Sequence, residues 1–214
     1  RGIPSPAADV ASVAPWQAEG VRGNPTLRDV TFQIEPWLAF TRAELRAGRL
    51  PFWNPYQSAG SPFWAAGQPA PLFPLHLLFV ALPLQLGFVL LPWLRLALGG
   101  AGAWALAREF DLSRPAAAVA AIGFPLSGMF VSFLSFPMGN ALALVPWVFW
   151  AVERLARGNS GAIPLAVTAG LQLLGGHPET SAHTAFLTAI YLVVRVVGAR
   201  GRKGDACVAP TNLG

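Results

Sequence analysis

From residue 84 onward the sequence is a succession of long apolar runs, with its charges confined to short islands between them. A helix of a soluble domain buries one apolar stripe and shows its polar face to water. A run that is apolar all round needs lipid or protein on every side, and about 20 such residues cross the hydrocarbon core of a bilayer. Composition agrees. Hydrophobic residues make up 54% of the chain and charged residues 12%, against about 25% charged in soluble domains. The pattern predicts an all-α, polytopic helical membrane bundle. Its spans are 84–107, 115–134, 140–155, 162–175 and 181–197, the third and fourth being short. The segment 71–82 is apolar but broken by Pro74, and reads as re-entrant or interfacial.

The ends of the runs give a direction. Arg108 and Arg114 follow the first span, Arg154 and Arg157 the third, and Arg195, Arg200, Arg202 and Lys203 the fifth. The alternate connections, 135–139 and 176–180, contain no Arg or Lys. Basic loops mark the cytoplasmic side, so residues 1–70 are expected outside and 200–214 form a cytoplasmic tail. The net charge of +5 is therefore a topology signal. No basic stripe with interleaved aromatics exists for nucleic acid to follow. The lone Cys207 permits no internal disulfide. Arg in place of Lys, with abundant Ala, Gly and Pro, points to a GC-rich bacterial source.

The membrane domain is thus 71–199, preceded by an outer segment 1–70. Residues 1–28 read as loop. Between Pro36 and Gly48, Trp37, Leu38, Phe40 and Leu45 alternate with Thr41, Arg42, Glu44 and Arg46. Pro suits a first helical turn and Gly a stop, so a short amphipathic helix is expected there, lying at the membrane interface. The Trp53-Asn54-Pro55 block reads as a rigid turn with an interfacial Trp.

Topology sorts the polar residues. Asp29, Glu35, Gln68, His177, Glu179 and His183 fall on the outer side. Glu109, Asp111 and Glu153 fall on the inner side as helix-end acids beside arginines. Arg95 stands about 16 Å into the first span at 1.5 Å per residue, where a charge usually faces the protein interior. An ion pair and a lipid phosphate are its two natural partners. His76 reads as structural.

Several motifs together resemble the first external loop of the YfhO-type bacterial membrane proteins. They are Asp29-Val-Thr-Phe-Gln-Ile-Glu-Pro36, Gly48-Arg-Leu-Pro-Phe-Trp-Asn-Pro-Tyr56, Gly60-Ser-Pro62 and Gln68-Pro-Ala-Pro-Leu-Phe-Pro74. Pro146-Trp147 and Gly176-His177-Pro178-Glu179 extend the similarity over about 25–198. Glu179 departs from the pattern, where Gln is expected. The family's chains are longer, so the resemblance implies an N-terminal portion lacking a first span and inactive alone.

The resemblance implies a GT-C-like fold and transfer of a sugar from a polyprenyl-phosphate donor to an envelope glycan or lipid acceptor. The site of transfer would be the outer face of the cytoplasmic membrane. Asp29 matches the acid that serves as general base in that class. As a plain loop acid it would pair with Arg28 instead. Gln33 and Gln68 are then candidates for sugar hydroxyls. Glu35 is a further candidate, although an acid before Pro36 also suits a helix N-terminus. Glu179 and His183, at i and i+4, share a helix face. With His177 they suit a divalent metal or a donor phosphate, or else a capped helix start with an interfacial His. No recognised metal signature is present, and no cofactor follows from the sequence. A non-catalytic protein that transports or scaffolds envelope polymers is the alternative function.

Overall fold

The computed structural model describes residues 29–207. The loop expected over 1–28, the Arg28 partner for Asp29 and the end of the tail lie outside the described residues. The described chain is mostly helical. A π-helical turn, Val30–Ile34, leads directly into α1, Glu35–Arg46. Pro36 sits in the first turn of α1, and Gly48 follows its end at φ +71°. Two-residue strands β1 (Trp53–Asn54) and β2 (Ser61–Pro62) pair antiparallel. A 3-10 turn, Pro74–Leu77, and the short α2, Leu78–Ala81, fill the segment broken by Pro74.

The helices that follow are α3 (Leu84–Glu109), α4 (Arg114–Gly123), the one-turn α5 (Gly128–Ser132), α6 (Met138–Ala156), α7 (Ala162–Leu174) and α8 (Pro178–Cys207). Two stretches, Leu84–Glu109 and Arg114–Ser132, are long and apolar enough to cross a membrane. The second contains a break. Pro125 has no N–H to reach the carbonyl of Ala121, and here the helix is interrupted between Gly123 and Gly128. Gly100 of α3 packs against the carbonyl thus freed, and a Cβ there would lie 2.7 Å from Ala121 O. The fifth expected span also runs further than the apolar pattern implies, because helical geometry continues through the charged Arg200–Lys203 region to Cys207.

Small residues let the helices approach closely. Gly99, Gly100, Gly102 and Ala103 of α3 are buried, as are Gly139, Ala141 and Ala143 of α6. The Trp147 indole lies over Gly102 and donates to Leu98 O at 2.9 Å. In a helix bundle with an apolar surround, such contacts and interhelical hydrogen bonds hold the elements together.

The bundle has two chemically distinct ends. At one, Glu153 is fully buried and accepts from Arg157 Nε (2.7 Å), Arg195 Nε (2.9 Å) and the Tyr191 hydroxyl (2.6 Å). Arg154 pairs with Glu109 at 3.5 Å and Arg157 with Asp111 at 2.8 Å. The acids beside the basic connections are therefore paired, as the sequence suggests. The opposite end carries the π turn, the 67–77 segment and the α7–α8 connection. Here Asn140, near the start of α6, meets Arg95 in the middle of α3. The carbonyl of Gly175, just past α7, meets the same Asn140. Helix α6 begins, and α7 ends, about halfway along α3, which is why their apolar runs are short.

Candidate functional site

The π turn sorts its residues by helical spacing. Val30, Ile34 and Leu38 bury on one face against Phe79 and Leu91. Asp29, Gln33, Pro36 and Phe40 fall on another and line an open cleft of about 620 Å³. That volume lies within the ~300–1,000 Å³ usual for small-molecule sites. The opposite wall comes from the β1–β2 hairpin, through Asn54, Tyr56 and Gln57. Asp29 is exposed at the mouth. Helical hydrogen bonding runs through the junction, since the Glu35 N–H donates to Val30 O. Glu35 is thus not at an open helix N-terminus. It is half-buried, lines neither cavity at this end, and burial pushes its carboxyl above the usual range.

Beneath the cleft lies a narrow crevice of about 10 Å³, lined by Ile34, Trp37, Gln68, His76 and Arg95. This is close to the smallest space that holds one water. Trp37 lines both cavities. Gln33 Nε2 contacts Gln68 Oε1 at 3.5 Å, joining the cleft to the rim of the crevice.

The floor is a buried polar network. Arg95 is 1% exposed. Its Nε donates to Asn140 Oδ1 at 2.8 Å, its Nη1 to Leu134 O, and its Nη2 faces His76 Nε2 at 3.4 Å. His76 Nδ1 lies 3.0 Å from the carbonyl of Ala70. A carbonyl only accepts, so Nδ1 carries the proton and Nε2 is free to accept. Nε2 then receives Asn140 Nδ2 at 3.1 Å, and Asn140 Nδ2 also reaches Gly175 O at 2.9 Å. Ala70 holds its carbonyl there at φ +46°, a strained conformation for a residue with a side chain. Every partner of Arg95 is neutral. Among the described residues no carboxylate forms an ion pair with it, so the expected ion pair is absent there and the charge is uncompensated.

The Gly176-His177-Pro178-Glu179 motif meets this end at Gly176, which packs on the 67–70 segment. Gly176, at φ +85°, packs so tightly that a Cβ would lie 2.7 Å from Gln68 O. His177 caps α8: its Nδ1 accepts from Thr180 N at 3.2 Å and lies 2.8 Å from Thr180 Oγ1. Glu179 and His183 are exposed on α8. Among the described residues no three His, Cys, Asp or Glu side chains gather where a metal could be held. Of the residues singled out in the sequence, Asp29, Gln33 and Gln68 come together with Arg95 below them. Glu35, Glu179 and His183 stand apart.

No protein-family model matches this sequence, and no curated protein or solved structure matches it. The geometry and the motifs alone carry the functional reading. Sequence reasoning read His76 as structural without identifying its partners, and missed Asn140 as part of the floor. The available signal was a His and an Asn, each at the edge of an apolar stretch, where a polar side chain needs a partner. It also missed Tyr56 and Gln57 as a cleft wall.

Proposed function

We propose that the chain belongs to a polytopic glycosyltransferase of the bacterial cytoplasmic membrane, GT-C-like and related to the YfhO-type proteins. On this reading the cleft end faces outward. The enzyme takes a sugar from a polyprenyl-phosphate donor to an envelope acceptor. One observation carries it: the exposed Asp29 carboxylate and the uncompensated Arg95 charge serve two cavities that share the Trp37 wall. Glycosyl transfer from a lipid phosphate needs both. An acceptor hydroxyl is a poor nucleophile, and a carboxylate that takes its proton as the new C–O bond forms lowers the barrier. The phosphate leaves with the electron pair of the old C–O bond. A fixed positive charge in low-dielectric surroundings favours that departure without touching it. Gln33 and Gln68, amide against amide at the rim, offer donors and acceptors for sugar hydroxyls.

The membrane part has its own support. An apolar helix of a soluble core would be largely enclosed, yet the window within Arg114–Ser132 is 17% buried and that within Leu84–Glu109 39% buried. Val119, Ile122, Leu126, Ile163, Phe186 and Val193 project outward. Large apolar side chains exposed along several helices suit a lipid surround better than water.

The test is sugar transfer by the full-length protein with purified polyprenyl-phosphate sugar. Asp29→Asn is expected to cut turnover by about 10²–10⁴-fold, the usual worth of a general base, with unchanged membrane insertion. Normal transfer by the variant would remove Asp29 as the base. Binding of the lipid-linked sugar by wild type without turnover would favour a transport or scaffold role.

A further inference from the structure

We propose that the outer wall of the cleft is a subsite for a neutral pyranose ring, with Tyr56 as its stacking platform and Asn54 and Gln57 as its hydrogen-bonding groups. This deepens the transfer reading, and rests on it only for the identity of the bound sugar as acceptor. A base takes its proton from the acceptor, so a sugar held beside Asp29 is the acceptor, and the donor lies toward Arg95.

The hairpin presents these groups in fixed orientations. Tyr56 is 86% exposed, yet its ring is steadied edge-on by Phe40, with centroids 6.1 Å apart at 79°. The Oδ1 of Asn54 accepts from Tyr56 N at 3.0 Å. Asn54 itself is 6% exposed and lines the cleft, so its Nδ2 is left for a partner there. The Oε1 of Gln57 accepts from Trp37 Nε1 at 3.1 Å, which likewise leaves its NH₂ available. The turn that follows stores strain: Ser58 and Ala59 stand at φ +52° and +60°, and Gly60 at +113°. The Trp53 indole packs on Gly60, where a Cβ would lie 2.8 Å from the ring.

The chemistry of this wall selects its ligand. A pyranose has an apolar C–H face that lies on an aromatic ring and an equatorial fringe of hydroxyls that reads planar amides. Both are provided within one cleft. A hydrocarbon chain would leave the amides and the carboxylate without partners, which is costly. Among the described residues no Lys or Arg lines the cleft, so a sugar acid would meet Asp29 with no balancing cation from them.

The experiment is ligand-observed saturation-transfer NMR on the full-length protein in nanodiscs. The probes are the methyl β-pyranosides of glucose, galactose and N-acetylglucosamine, with glucuronate as the anionic counterpart. At least one neutral probe should receive saturation, strongest on one ring face, and glucuronate should receive little. Tyr56→Ala should weaken the signal about tenfold, equivalent to ~1.4 kcal/mol, and Tyr56→Phe should retain it. The ring is on the surface, so both variants should keep the wild-type circular dichroism. Silence from every neutral probe would overturn the subsite. So would an unchanged signal from Tyr56→Ala, most clearly if that variant instead loosened the hairpin from lipid vesicles. Transfer activity that survives Asp29→Asn, alongside intact saturation, would sink the catalytic reading and leave the subsite standing.

Discussion

Arg95 gains its position from neutral partners alone, and this makes the network sensitive to each of them. Asn140→Ala leaves Arg95 Nε and the carbonyl of Gly175 unsatisfied in the interior. The expected loss is ~1–3 kcal/mol for each orphaned group, read as a lower unfolding temperature in detergent. Wild-type stability would show that water or another residue takes over. Glu35 offers a pH test. Burial raises its carboxyl above the ordinary 4.5, so the folded chain holds this proton more tightly than the unfolded one. Stability from this group is then complete at low pH and falls as pH rises from 4.5 through the raised value. Glu35→Gln should remove that fall and be the more stable protein at neutral pH. A steeper fall in the variant would contradict the assignment. Much of the residue scale was legible in the sequence. Asp29, Gln33, Gln68 and the depth of Arg95 stood out because motifs and a charge in an apolar run are local signals. The partners of Arg95 were not legible, because they come from the Pro74–Leu77 turn, the 133–137 connection and α6, and side-chain pairing across helices leaves no periodic trace.

Among the elements, α3 and α6 pack on each other, α4 rests on α3, and α7 and α8 rest on α6. The α3 glycines decide how closely its neighbours approach. A Cβ at Gly102 would lie 2.7 Å from the Trp147 ring, and one at Gly100 the same distance from the Ala121 carbonyl. Gly100→Ala meets backbone, which cannot rotate away, and should cost ~1–3 kcal/mol as an overpacked contact. Gly170 of α7 meets nothing within 4 Å. Gly170→Ala should therefore be neutral or stabilise by up to ~1 kcal/mol through helix propensity. Equal effects at the two sites would show that the α3–α4 contact is looser than described. Helix positions were readable from the apolar runs. The π turn was not, because its i→i+5 hydrogen bonding has no sequence signature distinct from an α-helix. The break at Pro125 was concealed by the unbroken hydrophobicity around it.

Across the whole molecule, polarity separates along the bundle. The Glu153, Arg154, Arg157 and Arg195 cluster closes one end, and the Asp29 cleft with its His76–Arg95–Asn140 floor opens the other. The alternation of basic and Arg-free connections anticipated this division, since each traverse of the chain brings successive loops to opposite ends. The closeness of the Gln68 loop to the α7–α8 connection was beyond it, because that depends on Gly176 and Ala70 adopting left-handed conformations. The proposed transfer reaction requires the two ends to lie on opposite faces of a membrane. Single cysteines at Ser58 and Ser160, both exposed, test this in a background carrying Cys207→Ser. In intact cells an impermeant thiol reagent should label the Ser58→Cys protein and spare the Ser160→Cys protein until the membrane is permeabilised. Labelling of Ser160→Cys alone would turn the cleft toward the cytoplasm, and equal labelling of both would contradict a membrane-spanning bundle.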